Sequence, residues 1–203
     1  MFSLFLKGGP LMWPILLCSI AAAAIILERL YFFYKIREKT PNIDARIKIL
    51  VKQNKFDEAI KLCEVTTGII PHILSIGIHI RMKGQEEKER ILTKYVSKIV
   101  RKLEKNLSFL AIIGNIAPLL GLLGTITGMI KAFMKIEHLK GTADVSQIAG
   151  GVWEALITTA AGLFVAIPAI FFYHYFEVKI NNILEDIKEI TAEVLEWDIT
   201  HGN

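Results

Sequence analysis

Residues 109–130 and 155–176 are two apolar segments, FLAIIGNIAPLLGLLGTITGMI and ALITTAAGLFVAIPAIFFYHYF. Each is long enough to cross a bilayer, which takes ~20 predominantly apolar residues as a helix. Nothing else constrains the fold as strongly. A backbone in hydrocarbon must satisfy its own hydrogen bonds, so these segments have to be helical. Each also carries a proline, Pro118 or Pro168, and a threonine at a similar distance from one end, Thr125 or Thr159. A third apolar block, residues 11–27, has Pro14 near its start and is followed by Tyr31, Phe32, Phe33 and Tyr34, the aromatic belt of a membrane interface. The expected fold is an all-α integral membrane protein with three transmembrane helices, the second and third extended into the cytoplasm as long helices.

Composition agrees. Of 203 residues, 53% are hydrophobic and the mean hydropathy is +0.44, too apolar for an ordinary soluble domain. Lys7, the apolar stretch and the alanines at 21–24 also resemble a cleavable signal peptide. The stretch runs on past the alanines to Leu27, however, so a retained membrane helix is expected. Cys18 and Cys63 fall in different environments, with no metal-ligand spacing and no evident disulfide partner.

Charge orients the chain. Residues 28–108 hold 18 Lys/Arg and 10 Asp/Glu, a balance of +8, whereas residues 177–203 hold two lysines against seven acids, a balance of −5. Lysine and arginine accumulate on the cytoplasmic side of membrane helices, and the basic segment lies between the first two spans, so it is read as topology and not as a nucleic-acid surface. The expected organisation is a short external N-terminus (1–10), a first span (11–30), a cytoplasmic helical domain (31–108), a second span (109–131), an external loop with helix ends (132–152), a third span (153–176) and a cytoplasmic C-terminal helix (177–203). Within the cytoplasmic parts, two short helices are expected around Gln53 and Asn54, and another ending at Lys83 and Gly84. A charged helix over 86–108, with Leu92, Val96, Ile99 and Leu103 on one side, is expected to run unbroken into the second span. Ile180, Ile183, Ile187, Ile190, Val194 and Trp197 alternate spacings of three and four, a heptad seam that serves packing within the chain, subunit contact, or both. Asp144 and Gln147 read as a capping pair for the helix entering the third span.

The same alternation organises the spans. Gly114, Ala117, Gly121, Gly124 and Gly128 share one face of the second, and Ala155, Thr159, Gly162, Ala166 and Ala169 one face of the third. Small faces let helices approach closely in lipid, so packing is the simplest role for these residues. The polar residues ask for more. Pro118 and Pro168 each free a carbonyl one turn earlier, which needs a partner within the protein or a wet cavity. A membrane threonine commonly bonds back to its own helix. Thr125 lies five residues before Ile130 and Thr159 five after Glu154, so a hairpin is expected to bring the two hydroxyls to one level. Glu154, at the external mouth one turn before Thr158, is either an interfacial acid or a functional one. Apart from Glu154 and Lys131, the apolar stretches 11–27, 109–131 and 153–176 hold no Asp, Glu, Lys or Arg, and threonine is not a titratable group for a proton relay. A second protein would have to supply the carboxylate.

These residues resemble the MotA/TolQ/ExbB proton-channel family, most specifically in APLLGLLGTITGMI (117–130) and GGVWEALITTAAGLFVAIPA (150–169). The three-span layout looks like its ExbB branch, with TolQ next; the four-span MotA branch fits poorly. The resemblance implies a motor subunit of the bacterial inner membrane. It would form a homo-pentamer around an ExbD- or TolR-like single-span protein whose helix carries an aspartate. Proton flow would drive work at the outer membrane through a TonB- or TolA-like protein. The family's pore threonines correspond to Thr125 and Thr159, and its acid to Glu154. Thr158 departs from the alanine common at its place and shares the ion-pathway assignment. Pro118 and Pro168 set helix bends, and Gly121, Gly124, Gly128 and Gly162 pack the helices. No cofactor, metal or catalytic residue is expected. The coupling ion is read as H+, with Na+ as the alternative. A structural membrane scaffold, tolerant of Glu154→Gln and Thr125→Val, is the competing reading. An enzyme is not: no nucleophile–base pair, metal cluster or phosphate loop occurs, and His72 and His79 stand without carboxylate company.

Overall fold

A computed structural model describes residues 8–36, 43–66, 68–138 and 145–196, and every regular element among them is a helix. In chain order these are α1 (Met12–Ile36), α2 (Ile43–Lys52), α3 (Phe56–Val65), α4 (Ile69–Ile80), α5 (Gln85–Leu103), α6 (Leu107–His138) and α7 (Val145–Glu196). The helical stretches containing α1, α6 and α7 are long and apolar enough to cross a membrane. The fold is thus all-α with three membrane spans. Pro14 falls in the first turn of α1, where its missing N–H costs nothing.

Two asparagines punctuate the chain. Asn54 adopts φ +61°, and at this α2 terminus Lys55 N–H bonds Leu50 O while Asn54 N–H bonds Val51 O, both at 3.0 Å. This is a Schellman cap, with asparagine taking the left-handed position that glycine usually fills. Asn106 adopts φ +63° and separates α5 from α6. The expectation of one unbroken helix into the second span is therefore corrected: the helix stops at Leu103 and restarts at Leu107. A left-handed residue cannot continue a right-handed helix. The side chain of Asn106 donates to Glu28 Oε2 at 3.3 Å, a contact 78 positions away in sequence that periodicity does not register.

The chain divides into two compact units. One comprises Leu30–Lys105 and Glu177–Asn203. Its core joins Ile43, Ile47 and Val51 of α2, Ala59 and Cys63 of α3, Ile73, Leu74 and Ile78 of α4, Leu92 of α5, and Ile187, Ile190 and Val194 of α7. The heptad positions of α7 are thus occupied by packing within the chain: a Cβ on Gly77 would lie 2.5 Å from Val194 Cγ1. Trp197, the last of that series, lies outside the described residues, as does Asp144 of the expected capping pair. Lys48 is paired with Glu193, whose hydrogen bond holds the lysine pKa above its usual value.

Burial, helped by Glu64, pushes the Cys63 thiol up to about 11. Since the thiolate is the nucleophile, alkylation at pH 8 should be much slower in the folded protein than in denaturant. The folded state also holds this proton more tightly than the unfolded one. The thiol's contribution to stability is therefore intact below about pH 9 and is lost as pH rises towards 11. Equal labelling rates in native and denatured protein would contradict this burial.

The other unit comprises Met1–Arg29 and Asn106–Phe176. Ile15 of α1 packs with Ala117 of α6 and Val165 and Ala166 of α7, supported by Cys18, Ile113, Leu120 and Ala161. Large apolar side chains such as Trp13, Leu17, Leu119, Phe164 and Phe171 remain exposed, as suits helices whose surroundings are lipid or further membrane helices.

Candidate functional site

The two small-residue stripes meet. Gly114, Ala117, Gly121, Gly124 and Gly128 of α6 are all buried, as are Ala155, Gly162, Ala166 and Ala169 of α7. Cβ atoms built on the glycines report how close the backbones come. On Gly121 it would lie 3.0 Å from Thr159 Cα, on Gly128 3.0 Å from Ala155 Cβ, and on Gly162 2.5 Å from Ala117 O. The antiparallel helices touch main chain to main chain, which maximises the dispersion contacts that hold helices together in lipid.

Four threonines on these two helices bond in three ways. Thr159 Oγ1 reaches across it and donates to Gly121 O at 3.0 Å. Thr158, 1% exposed, wedges its methyl against Gly124. Its hydroxyl faces two carbonyls, Glu154 O at 2.8 Å and Gly8 O at 2.9 Å. Thr125 donates to Leu122 O of its own helix at 2.6 Å, and Thr127 likewise turns back, to Leu123 O at 2.9 Å.

The register differs from the expected one. Thr159 stands opposite Gly121 and Thr158 opposite Gly124. Thr125 therefore lies two to four residues, roughly 3–6 Å, nearer the loop end of the hairpin than Thr159. Ile130 and Glu154, the reference points for matched depth, are not level: Glu154 is met by Lys131 because a lysine side chain spans the difference. The two hydroxyls are stacked along the seam and do not face each other.

Glu154 does not stand alone. Its Oε1 lies 3.0 Å from Lys131 Nζ, joining α7 to α6. The same oxygen abuts Gly9, where any Cβ would overlap it. Gly9 adopts φ +72°, a left-handed conformation that glycine takes without a Cβ penalty. The Gly8–Gly9 turn ahead of α1 is thus seated on α7 through Thr158 and Glu154. Pro118 and Pro168 both lie inside unbroken helices.

Sequence reasoning missed part of this arrangement. Thr158 falls in the series 155, 158, 162, 165, 169, whose members are all buried; that second three-four alternation was available in the sequence and points to the wedge. Lys131 and Gly9 carried no local signal. Arg29, which the sequence shows only as one of the basic residues of the 28–108 segment, is 1% exposed. Its Nε donates to Glu28 Oε2 at 2.9 Å, and that carboxylate also receives Asn106. His72 stacks beside Tyr95 and His79 Nδ1 lies 2.7 Å from Ser75 O, so both serve local packing.

The profile of the MotA/TolQ/ExbB proton channel family matches residues 64–189. An ExbB-like biopolymer transport protein of Synechocystis sp. is 34% identical over 173 residues, covering 82% of this chain and 66% of that protein. The biopolymer transport protein ExbB of Xanthomonas campestris pv. campestris is 42% identical over 106 residues, 52% of this chain and 41% of its own. The Tol-Pal system protein TolQ of Haemophilus influenzae is 37% identical over 97 residues, 48% and 42% respectively. The chain spans between about two-fifths and two-thirds of the lengths of these relatives.

Proposed function

This chain belongs to the MotA/TolQ/ExbB proton channel family, and from that premise we propose that it is the channel subunit of an ExbB–ExbD-type motor of the bacterial inner membrane. Such a motor uses the proton motive force to energise TonB-dependent transport across the outer membrane. The observation that carries the reading is the seam. Residues 114–130 and 155–172 contain no Asp, Glu, Lys, Arg or His, yet Thr158 and Thr159 place hydroxyls between the two helices. Thr159 donates its one proton to Gly121 O and keeps its oxygen lone pairs as acceptors. It can position a water or a protonated carboxyl but cannot itself carry a proton at neutral pH. A wall of this kind needs a titratable group from elsewhere. The proposed source is the membrane aspartate of a single-span ExbD- or TolR-like partner, enclosed by a homo-pentamer of this chain.

In this assignment Thr125, Thr158 and Thr159 line the path, Glu154 stands at its external mouth, and Pro118 and Pro168 shape the helices. The positive charge of residues 28–108 supports a cytoplasmic position for that region and an external N-terminus. The coupling ion is H+, with Na+ distinguished by exchanging the salt. A TolQ-like role in a Tol-Pal-type envelope motor shares every residue named here, and the relatives include both branches. Tagged protein purified from its own membranes and reconstituted into proteoliposomes tests the proposal. The expected result is co-purification of a single-span protein with a membrane aspartate and a proton flux that requires both chains. A TonB- or TolA-like third component would separate the two motor readings. A homogeneous assembly of this chain alone, with no flux, would support the scaffold.

A further inference from the structure

We infer that Lys131 is the positioning residue for Glu154, and that the two form a latch across the loop end of the α6–α7 hairpin with the Gly8–Gly9 turn as its backstop. The inference rests on the reading of that hairpin as an ion path. The pair joins two different helices, 23 residues apart. The backbones beneath it are fixed by close contact: a Cβ on Gly151 would lie 2.8 Å from Ala132 Cβ, and one on Gly128 3.0 Å from Ala155 Cβ. The direction of the Glu154 carboxylate is therefore set by what surrounds it. On one side is the Lys131 ammonium, 3.0 Å from Oε1. On the other is the bare Cα of Gly9, against that same oxygen. The turn bearing Gly9 is tied down one residue earlier, where Gly8 O accepts from the buried Thr158 hydroxyl at 2.9 Å.

These contacts make one connected device. Thr158 seats the turn, the turn walls the carboxylate, and Lys131 pulls the carboxylate across the seam. A cation reaching this end meets a carboxylate already neutralised by an ammonium and must displace it. Glu154 then works as one half of a latch, closed in this conformation, and not as an open collector of cations. The lysine side chain is half exposed, and an ion pair of that kind adds little to global stability. Its effect is accordingly expected on carboxylate direction and on access to the seam, with folding unchanged.

The test uses the full chain, purified with its membrane partner in nanodiscs, carrying Thr127→Cys, one turn below Lys131 and bonded only within its own helix, with Cys18 and Cys63 replaced by serine. The rate at which a hydrophilic maleimide labels position 127 reports access past the latch and requires no ion flux. Lys131→Gln should raise that rate up to about fivefold, the upper end for release of an exposed pair. Lys131→Arg should restore the parental rate, and so should the charge swap K131E/E154K. An unchanged rate in Lys131→Gln, or a swap that labels as fast as Lys131→Gln, would overturn the latch. Proton flux in matched proteoliposomes separates this result from the functional reading. Latch-type labelling in complexes that never conduct would leave the latch standing and remove the ion path. Normal conduction with labelling insensitive to residue 131 would do the reverse.

Discussion

Replacing Thr159 by valine is expected to abolish proton-driven work while leaving the α6–α7 hairpin assembled. Valine keeps the branched shape of threonine and exchanges only the hydroxyl for a methyl. The bond lost is the one from Oγ1 to Gly121 O, 3.0 Å across the seam. Its removal should cost about 1 kcal/mol of stability, too little to unfold a hairpin whose backbones touch along four turns. What disappears is the acceptor oxygen that the proposed path needs. Assembly measured by size exclusion, alongside proton flux and a TonB- or Tol-dependent phenotype, checks both halves. A variant that assembles and conducts normally would remove Thr159 from the path. Thr125→Val is the informative companion: its hydroxyl is bound within its own helix at 2.6 Å, so the variant isolates whether the free lone pairs of that oxygen face the ion.

Gly162→Ala should be the most damaging single methyl in the membrane unit. The new Cβ would sit 2.5 Å from Ala117 O and 3.2 Å from Gly121 Cα. Both neighbours are main chain and cannot turn aside, so the helices must separate. Overpacking of this kind costs about 1–3 kcal/mol, and the upper end is expected because Gly162 lies one turn from the Thr159–Gly121 bond. Loss of stability and loss of coupling should therefore appear together. The ranking is as testable as the magnitude. Gly114→Ala meets the side chain of Ile170 at 2.6 Å, which can rotate, so its effect should be smaller. Gly150→Ala meets nothing within 4 Å and should be neutral. Thermal unfolding in detergent that ordered these three otherwise would contradict the packing described.

Much of the membrane unit was legible in the sequence because lipid imposes simple demands. A span must be long, apolar and helical, and helices that pack in lipid need small residues every three or four positions. Gly114, Ala117, Gly121, Gly124 and Gly128 show that pattern, and all are buried against α7. The α7 heptad was equally legible as a seam, but which partner fills it was not. In the structure Ile187, Ile190 and Val194 are taken up by the chain's own α2–α5 core.

The failures share one cause: each depends on contacts between residues distant in sequence. The break before α6 belongs to Asn106, whose left-handed backbone accompanies a bond to Glu28. Asparagine tolerates that conformation in many settings without adopting it. The offset between Thr125 and Thr159 follows from helix register. Glycine–threonine and glycine–alanine contacts set that register, and an end-to-end count from Ile130 and Glu154 cannot reproduce it. Two threonines of one residue type and similar surroundings consequently have different partners, one on its own helix and one across the seam.

The sequence by itself determined that this chain is helical, crosses a membrane three times and carries a hairpin with hydroxyls and, over residues 114–130 and 155–172, no Asp, Glu, Lys, Arg or His. Hydrophobic length, periodicity and residue type are local properties, and those conclusions needed nothing more. Only the tertiary structure decided that Thr158 is a buried wedge, that Glu154 is held between Lys131 and a glycine from the segment before α1, and that the threonines are staggered. Those facts arise where backbones from distant parts of the chain come within van der Waals contact, and at that range a single methyl or one turn of register changes what each side chain can reach.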